Sequence, residues 1–181
     1  KIRYSTARIL QKPAAKVRVI EPFVGGGFGG KESPMLEPIA GRLAEVTGRP
    51  VRVAHTREEE FKNSVNSGEF KTIIKTGVSK DGKIVARKVD AILPGGGFAS
   101  TGFMVARNCT FGVGNSYSIP HISVDTYAVY TNTPVSGSYR GFGNRQLTFA
   151  LESQIDEIVR DRNWDPIEFR RKNLLQEGEV T

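Results

Sequence analysis

The chain has 181 residues, with 26 Lys and Arg against 19 Asp and Glu and a formal net charge of +7. That length holds one domain with a real core, or one domain with a small appendage. A single cysteine, Cys109, excludes an internal disulfide framework, and two histidines far apart, His55 and His121, offer no protein-ligated zinc or iron–sulfur pattern. No apolar run approaches the roughly 20 residues of a membrane span and no signal peptide opens the chain, so no membrane partner is expected and the cytoplasm is the default address. The basic cluster Arg162, Arg170, Arg171 and Lys172 has no interleaved aromatics and reads as a solvated helix face, so no nucleic-acid partner is expected. Glycine is the compositional departure, at 20 residues where average usage is about 7%. The chain opens at Lys1, without methionine, and residues 1–181 read as a single domain cut from a larger protein.

In chain order, Ile2 to Gln11 has Tyr4, Ala7 and Leu10 spaced for one helical face, and Pro13 closes it. Lys16 to Phe23 reads as a strand that delivers the chain to Gly25-Gly26-Gly27-Phe28-Gly29-Gly30-Lys31-Glu32. So many glycines let a bulky polar group approach the main-chain amides. A helix starting just beyond, with Ser33 as N-cap and Pro34 at its first position, would add unpaired donors and a partial positive charge, completing an anion seat. Gly25 to Lys31 satisfies G-x-x-x-x-G-K, but Glu32 stands where a phosphate loop needs Ser or Thr. The alternative to a ligand-facing loop is a tight structural turn, and Lys31 and Glu32 directly behind the glycines favour the ligand. Leu36, Ile39, Ala40, Leu43 and Val46 mark a buried helix face, which Gly48 and Pro50 end. Val51 to Ala54 then reads as a second strand, closing a strand–glycine loop–helix–strand unit.

Antiparallel β structure is expected after Thr56. Phe70 to Ser79 and Lys83 to Leu93 flank Asp81-Gly82, a strong hairpin signal. Gly95 to Gly97 breaks the second strand, as a bulge or as a close approach to a ligand, with the bulge preferred. Ile122 to Thr131 alternates like a half-buried strand. Ser138-Tyr139-Arg140-Gly141-Phe142-Gly143 puts a guanidinium fork suited to oxyanions before a helix. Phe142, between glycines, either faces a flat substrate or is a core aromatic. Leu147 to Asp161 is a helix with Leu151, Ile155, Ile158 and Val159 inward. Asp165-Pro166-Ile167-Glu168 is a capping box opening a last helix to Leu175, with Arg170 and Arg171 exposed. The fold class is α+β: the glycine-loop unit, then antiparallel hairpins, then C-terminal helices.

With both glycine segments in view, the chain resembles the molybdenum-binding subunit of the xanthine dehydrogenase/aldehyde oxidase family, in its first cofactor-binding domain. Val17-Arg18-Val19 leading into Gly25 to Glu32, Tyr127 to Asn132, Tyr139 to Gly143, and Asp165 to Leu174 occur in family order over essentially the whole length. The resemblance implies molybdopterin as cofactor, hydroxylation of a purine, another N-heterocycle or an aldehyde with water as oxygen donor, and electron exit through iron–sulfur clusters and FAD on other domains or subunits. By position it places Gly27, Phe28, Gly29 and Arg140 against the cofactor, and Glu32, Phe142 and Arg107 against the substrate. Arg107 lies about one residue from the family's spacing to Ile119-Pro120. Glu32 resembles the glutamate of purine-hydroxylating members and tilts the substrate toward a purine or other N-heterocycle; its alternative is a local ion pair with Lys31. The catalytic base would lie outside residues 1–181, so no catalytic residue is assigned here and the isolated chain is expected to be inactive. The competing readings are an aldehyde-oxidising member of the same family, a phosphate-binding nucleotide module, and a non-catalytic assembly domain.

Overall fold

The hairpin at Asp81-Gly82 is the centre of the fold. In the computed structural model, which describes residues 1–179, β1 (Lys71–Val78) pairs antiparallel with β2 (Ile84–Pro94). The turn between them closes with Gly82 at φ +83°, its amide donating to Ser79 O, while the Ser79 hydroxyl donates to Asp81. Hydrophobic alternation sets the register: Val89, Ala91 and Leu93 of β2 point inward and are nearly solvent-free.

β3 (His121–Val129) lies on the other side of β2 and runs parallel to it, giving the order β1-β2-β3. This corrects the expectation of antiparallel hairpins throughout. Parallel neighbours cannot be joined by a tight turn, and the crossover is a helix that the sequence reading did not anticipate (Gly102–Phe111). The glycines before it form no bulge in the ladder. Gly95 and Gly97 donate to Val129 O and Thr133 O, and Gly96, at φ +77°, lies so close to Pro134 O that a side chain cannot fit.

Four further corrections fall in the first 64 residues. The first helix, α1, covers Ile2–Ile9, and Tyr4 on its expected inner face is exposed. Lys16 to Phe23 and Val51 to Ala54 are extended but belong to no ladder, so the strand–helix–strand unit does not form. The second helix, α2, is Glu37–Thr47 rather than a helix from Pro34: Ser33 does not cap it and Pro38 occupies its first turn. Gly48, at φ +65°, ends it as expected. Its predicted inner face is uncovered, with Ile39, Leu43 and Val46 all exposed. α2 instead packs on α1, where Gly41 meets Leu10 and Lys12 pairs with Glu45 at 3.1 Å. A third helix, α3 (Arg57–Asn63), stands where β structure was expected. Thr56 and Glu59 form a full capping box at its start.

The crossover helix, α4, and α5 (Asn144–Arg162) cover one face of the sheet. Val105, Ala106 and Cys109 from α4 join Leu147 and Leu151 from α5 over β2. A second cluster gathers Ile84, Tyr117, Ile119, Ile155, Val159 and Phe169 around α6 (Pro166–Asn173), with Ile158 packed at its edge. Asp165 caps α6 by accepting from Ile167 N and Glu168 N, and the helix ends at Asn173, short of Leu175. Arg171 is exposed as expected, but Arg170 is not: it pairs with Asp156 at 2.7 Å and Glu152 at 3.0 Å. Leu151, with no exposed surface, sits where both helices meet the sheet. Leu151→Ala is expected to cost about 2–5 kcal/mol of stability in denaturant unfolding, and a loss under about 1 kcal/mol would show that this layer does not rest on it.

Candidate functional site

The glycine loop folds as two successive turns. Gly30 N donates to Gly27 O at 2.8 Å and Glu32 N to Gly29 O at 3.3 Å. Gly25, Gly26 and Gly29 take φ values of +71°, +147° and +103°, and Phe28 itself takes +50°. A side chain at the glycines would be strained there, so the residue type is dictated by the backbone path. Phe28 swings its ring back over Gly26 and leaves 63% of itself exposed. Lys31 does not pair with Glu32; its Nζ donates to Val24 O at 2.5 Å and staples the loop's base.

The second segment meets the first directly. An added Cβ on Gly29 would collide with the carbonyl of Ser138, so the loop seats against the stretch leading to Arg140. Ser138 is held from behind by Thr101, at the start of α4. Ser138 N donates to Thr101 Oγ1 at 2.8 Å, and the two hydroxyls lie 2.8 Å apart. Both residues are buried. Glu32 is half-buried at this junction. Hydrogen bonding from Ser138, then Lys1 at 3.0 Å, holds its carboxyl below the usual range against the opposing effect of burial. Glu32 is therefore a poised acceptor.

Arg140 is exposed and has no hydrogen-bond or ion-pair partner among the described residues. Phe142, at φ +52°, is half-buried with its ring packed on the core cluster over β2. Its neighbour Gly143 seats against α4, where a Cβ would fall 2.6 Å from Cys109 Sγ. That thiol is enclosed, and burial pushes it up to about 11, so it acts as an apolar packing group.

Arg107 is not brought to this cluster. It is exposed on α4 and lies over the ring of Phe111 at 5.6 Å. The α4 side chain that does reach the loop is the next one: Asn108 Nδ2 donates to Phe142 O at 2.8 Å. Thr101, Ser138 and Asn108 are the residues that sequence reasoning missed. Nothing in the sequence marked the hydroxyl pair.

Whether these residues fit an anionic cofactor can be tested on the loop itself. The amides of Gly25 through Gly29 have no acceptor among the described residues, and a neighbouring arginine has no acid to neutralise. Furthermore, no side chain caps α5, which starts directly after Phe142-Gly143. The free amides thus meet, through Gly29 on Ser138, the segment that carries an unpaired guanidinium and leads into a helix start without a side-chain cap. α2 adds nothing to it, because that helix begins five residues beyond Glu32 and Glu37 bonds Met35 N instead. The donor set fits a group carrying oxo and phosphate oxygens.

An α+β domain with a donor-rich double loop is a cofactor-holding domain. Residues 1–174 match the family of the molybdopterin cofactor-binding domain, and the chain belongs to that family. It is 37% identical to a probable xanthine dehydrogenase subunit of Bacillus subtilis, over 96% of this chain and 23% of that protein. It is 35% identical to the nicotinate dehydrogenase large molybdopterin subunit of Eubacterium barkeri, over 97% of this chain and 41% of that one. An aldehyde oxidoreductase from Desulfovibrio gigas superposes with a TM-score of 0.91 at 27% identity, over 99% of this chain and 20% of that one. The chain thus spans less than half the length of these relatives. Among the described residues, no helix is long and apolar enough to cross a membrane.

The seating of the two loops makes a paired prediction. Gly29→Ala is expected to lower the melting temperature and speed hydrogen exchange across 25–32 and 137–143 together. Gly97→Ala, where a Cβ meets nothing within 4 Å, is expected to be neutral. Equal behaviour of the two variants would show that the loops are not locked at Gly29.

Proposed function

We propose that this chain is the first cofactor-binding domain, residues 1–181, of a molybdenum hydroxylase acting on a purine or another N-heterocycle. The observation that carries the substrate side is Glu32: a half-buried carboxylate held below its ordinary range beside the glycine loop. A group kept as an acceptor recognises a ring N–H, which an aldehyde lacks. The Bacillus subtilis relative is named for xanthine, a ring with N–H groups, and the Eubacterium barkeri relative for nicotinate, an N-heterocycle without one at neutral pH.

In this reading the amides around Gly27, Phe28 and Gly29, with Arg140, hold the polar groups of molybdopterin. Bound, that cofactor supplies two-electron oxidation of a ring carbon with water as the oxygen source. Glu32 binds and turns the heterocycle. Phe142, anchored in the core by its rear face, gives a rigid platform for a flat ring. Arg107 is left for the rim of the substrate path. In this reading the general base, the iron–sulfur clusters and any FAD are supplied by the rest of the subunit or its partners, and none of the described residues is assigned the role of base.

A phosphate-loop nucleotide module is the weaker reading, because Lys31 is turned to Val24 O and no helix starts directly behind the loop. The test is metal and pterin analysis of the parent protein, with turnover on purines, nicotinate and aldehydes. Glu32→Ala is expected to keep its molybdenum and lose about 100-fold or more in kcat/KM on the N-heterocycle, whereas Arg140→Ala is expected to lower the molybdopterin content. The chain by itself is expected to show no turnover. Absence of molybdenum from matured parent protein, or full heterocycle turnover in Glu32→Ala, would overturn the assignment.

A further inference from the structure

Just before α5 the backbone takes positive φ at three residues in a row: Gly141 at +87°, Phe142 at +52° and Gly143 at +94°. Glycine follows that path freely, but a phenylalanine on it carries strain that its surroundings must hold. Two turn bonds secure the ends. Phe142 N donates to Tyr139 O at 2.6 Å, and Asn144 N donates to Gly141 O at 3.0 Å. The Phe142 carbonyl is left over. A helix begun one residue earlier would give it Gln146 N, but the bond that opens α5 runs from Leu147 N to Gly143 O at 3.3 Å.

The partner this carbonyl does find comes from another element. Asn108, on α4 and 34 residues away in sequence, donates to it from Nδ2 at 2.8 Å. A carbonyl needs a donor, so the Asn108 amide must meet it with its nitrogen. The seam around the bond is closed on both sides. At Gly143 a Cβ would lie 2.6 Å from Cys109 Sγ and 2.9 Å from Val105 Cγ1. One turn further along α4, a Cβ on Gly112 would fall 2.8 Å from Asn144 Oδ1. The start of α5 and the flank of α4 therefore meet without slack, and the donor stands at a fixed place.

We infer that Asn108 is a positioning residue: by holding the Phe142 carbonyl it keeps that residue in its strained backbone conformation and so aims the ring that a flat substrate meets. The inference rests on the reading of Phe142 as a substrate platform and names the group that gives the platform its angle. The ring packs on one side against the cluster over β2. Apolar packing anchors a ring without fixing its direction, because the hydrophobic effect is non-directional. A hydrogen bond is directional. With the carbonyl released, the peptide between Phe142 and Gly143 can rotate, since glycine accepts either sign of φ. Phe142 then relaxes toward negative φ, and its ring swings with the Cβ.

The experiment uses the parent holoenzyme with Asn108→Asp, Asn108→Ala and Phe142→Leu, and with each Asn108 variant combined with Phe142→Leu, in steady-state assays on hypoxanthine and nicotinate. Asn108→Asp keeps the shape of the side chain and sets an acceptor against the carbonyl. Asn108→Ala removes the donor without adding charge, and carries the test should the first variant fail to fold. Each is expected to raise KM for the heterocycle about tenfold, with kcat within about twofold and molybdenum content unchanged. In the Phe142→Leu background the same substitutions are expected to change KM by less than about twofold, because the ring that Asn108 aims is gone. Equal rises in KM with and without Phe142, or loss of molybdenum in the Asn108 variants, would give Asn108 a role of its own and overturn the inference. Should Phe142→Leu leave KM for the heterocycle unchanged, the platform reading of Phe142 itself falls. Should it raise KM while neither Asn108 variant does, only the positioning role of Asn108 falls.

Discussion

The contact between Gly29 and the carbonyl of Ser138 is the constraint on which the site depends. Two segments more than a hundred residues apart meet there at a spacing that excludes even a methyl group. Glycine is required at position 29 twice, by this contact and by its φ of +103°. Glu32 follows Gly29 by three residues and Arg140 follows Ser138 by two, so one backbone contact joins the two segments that carry the carboxylate and the guanidinium. The Arg140–Gly143 turn is then fixed by α4, through Asn108 on the Phe142 carbonyl and Cys109 behind Gly143.

Behind that surface the layers are tied by a polar network rather than by apolar packing alone. Arg87 alternates inward on β2 with Val89 and Ala91 and is almost fully buried, its Nη1 donating to Val113 O at 3.0 Å. Its guanidinium lies 5.8 Å from the Tyr117 ring centre, and burial lowers its pKa. Tyr117 donates to Glu152 on α5, and burial and that carboxylate push its hydroxyl up to about 12. Glu152 also takes Asn115 and Arg170, which carries the network to α6. A carboxylate so shared is a structural hub rather than a catalytic candidate. The arginine assigned to an exposed helix face is therefore the clamp between the last two helices.

Long periodic elements were readable: the Asp81-Gly82 hairpin, the His121–Val129 strand, α5 and the Asp165 cap each follow from local pattern and turn chemistry. The misreadings have physical causes. Lys16 to Phe23 has strand composition, but a strand exists only with a ladder partner, and none of the described residues supplies one. α3 was announced by Thr56 and Glu59, a capping box passed over because the segment behind it is charged rather than apolar. α4 carries Asn108 and Cys109 inward between two runs that read as β, and weak periodicity hid it. The glycine loop and Arg140 were visible as residue types. That the loop seats on Ser138, two residues before Arg140, and that Thr101 holds Ser138 in turn, is tertiary information with no local signature.

The uncovered apolar surface bears on how the site is completed. Ile20, Phe23, Ile39, Leu43, Val46 and Phe61 are all exposed, and they cluster in the same first third of the chain as the glycine loop. Single exposed apolar residues are ordinary, whereas a group of this size is rare on a free-standing surface. The clefts follow the same logic: the one that opens beyond Glu32, lined by Pro34, Met35, Leu36 and Phe98, does not include Glu32, Arg140 or Phe142. The site residues thus form a wall rather than an enclosed pocket. A wall of solvated amides and an unpaired guanidinium gains most when a polyanionic group replaces the water, since those donors are already oriented and little ordering remains to be done. A group bound there would favour the arrangement in which Gly29 is seated on Ser138, so such a ligand and the two-loop contact would stabilise each other.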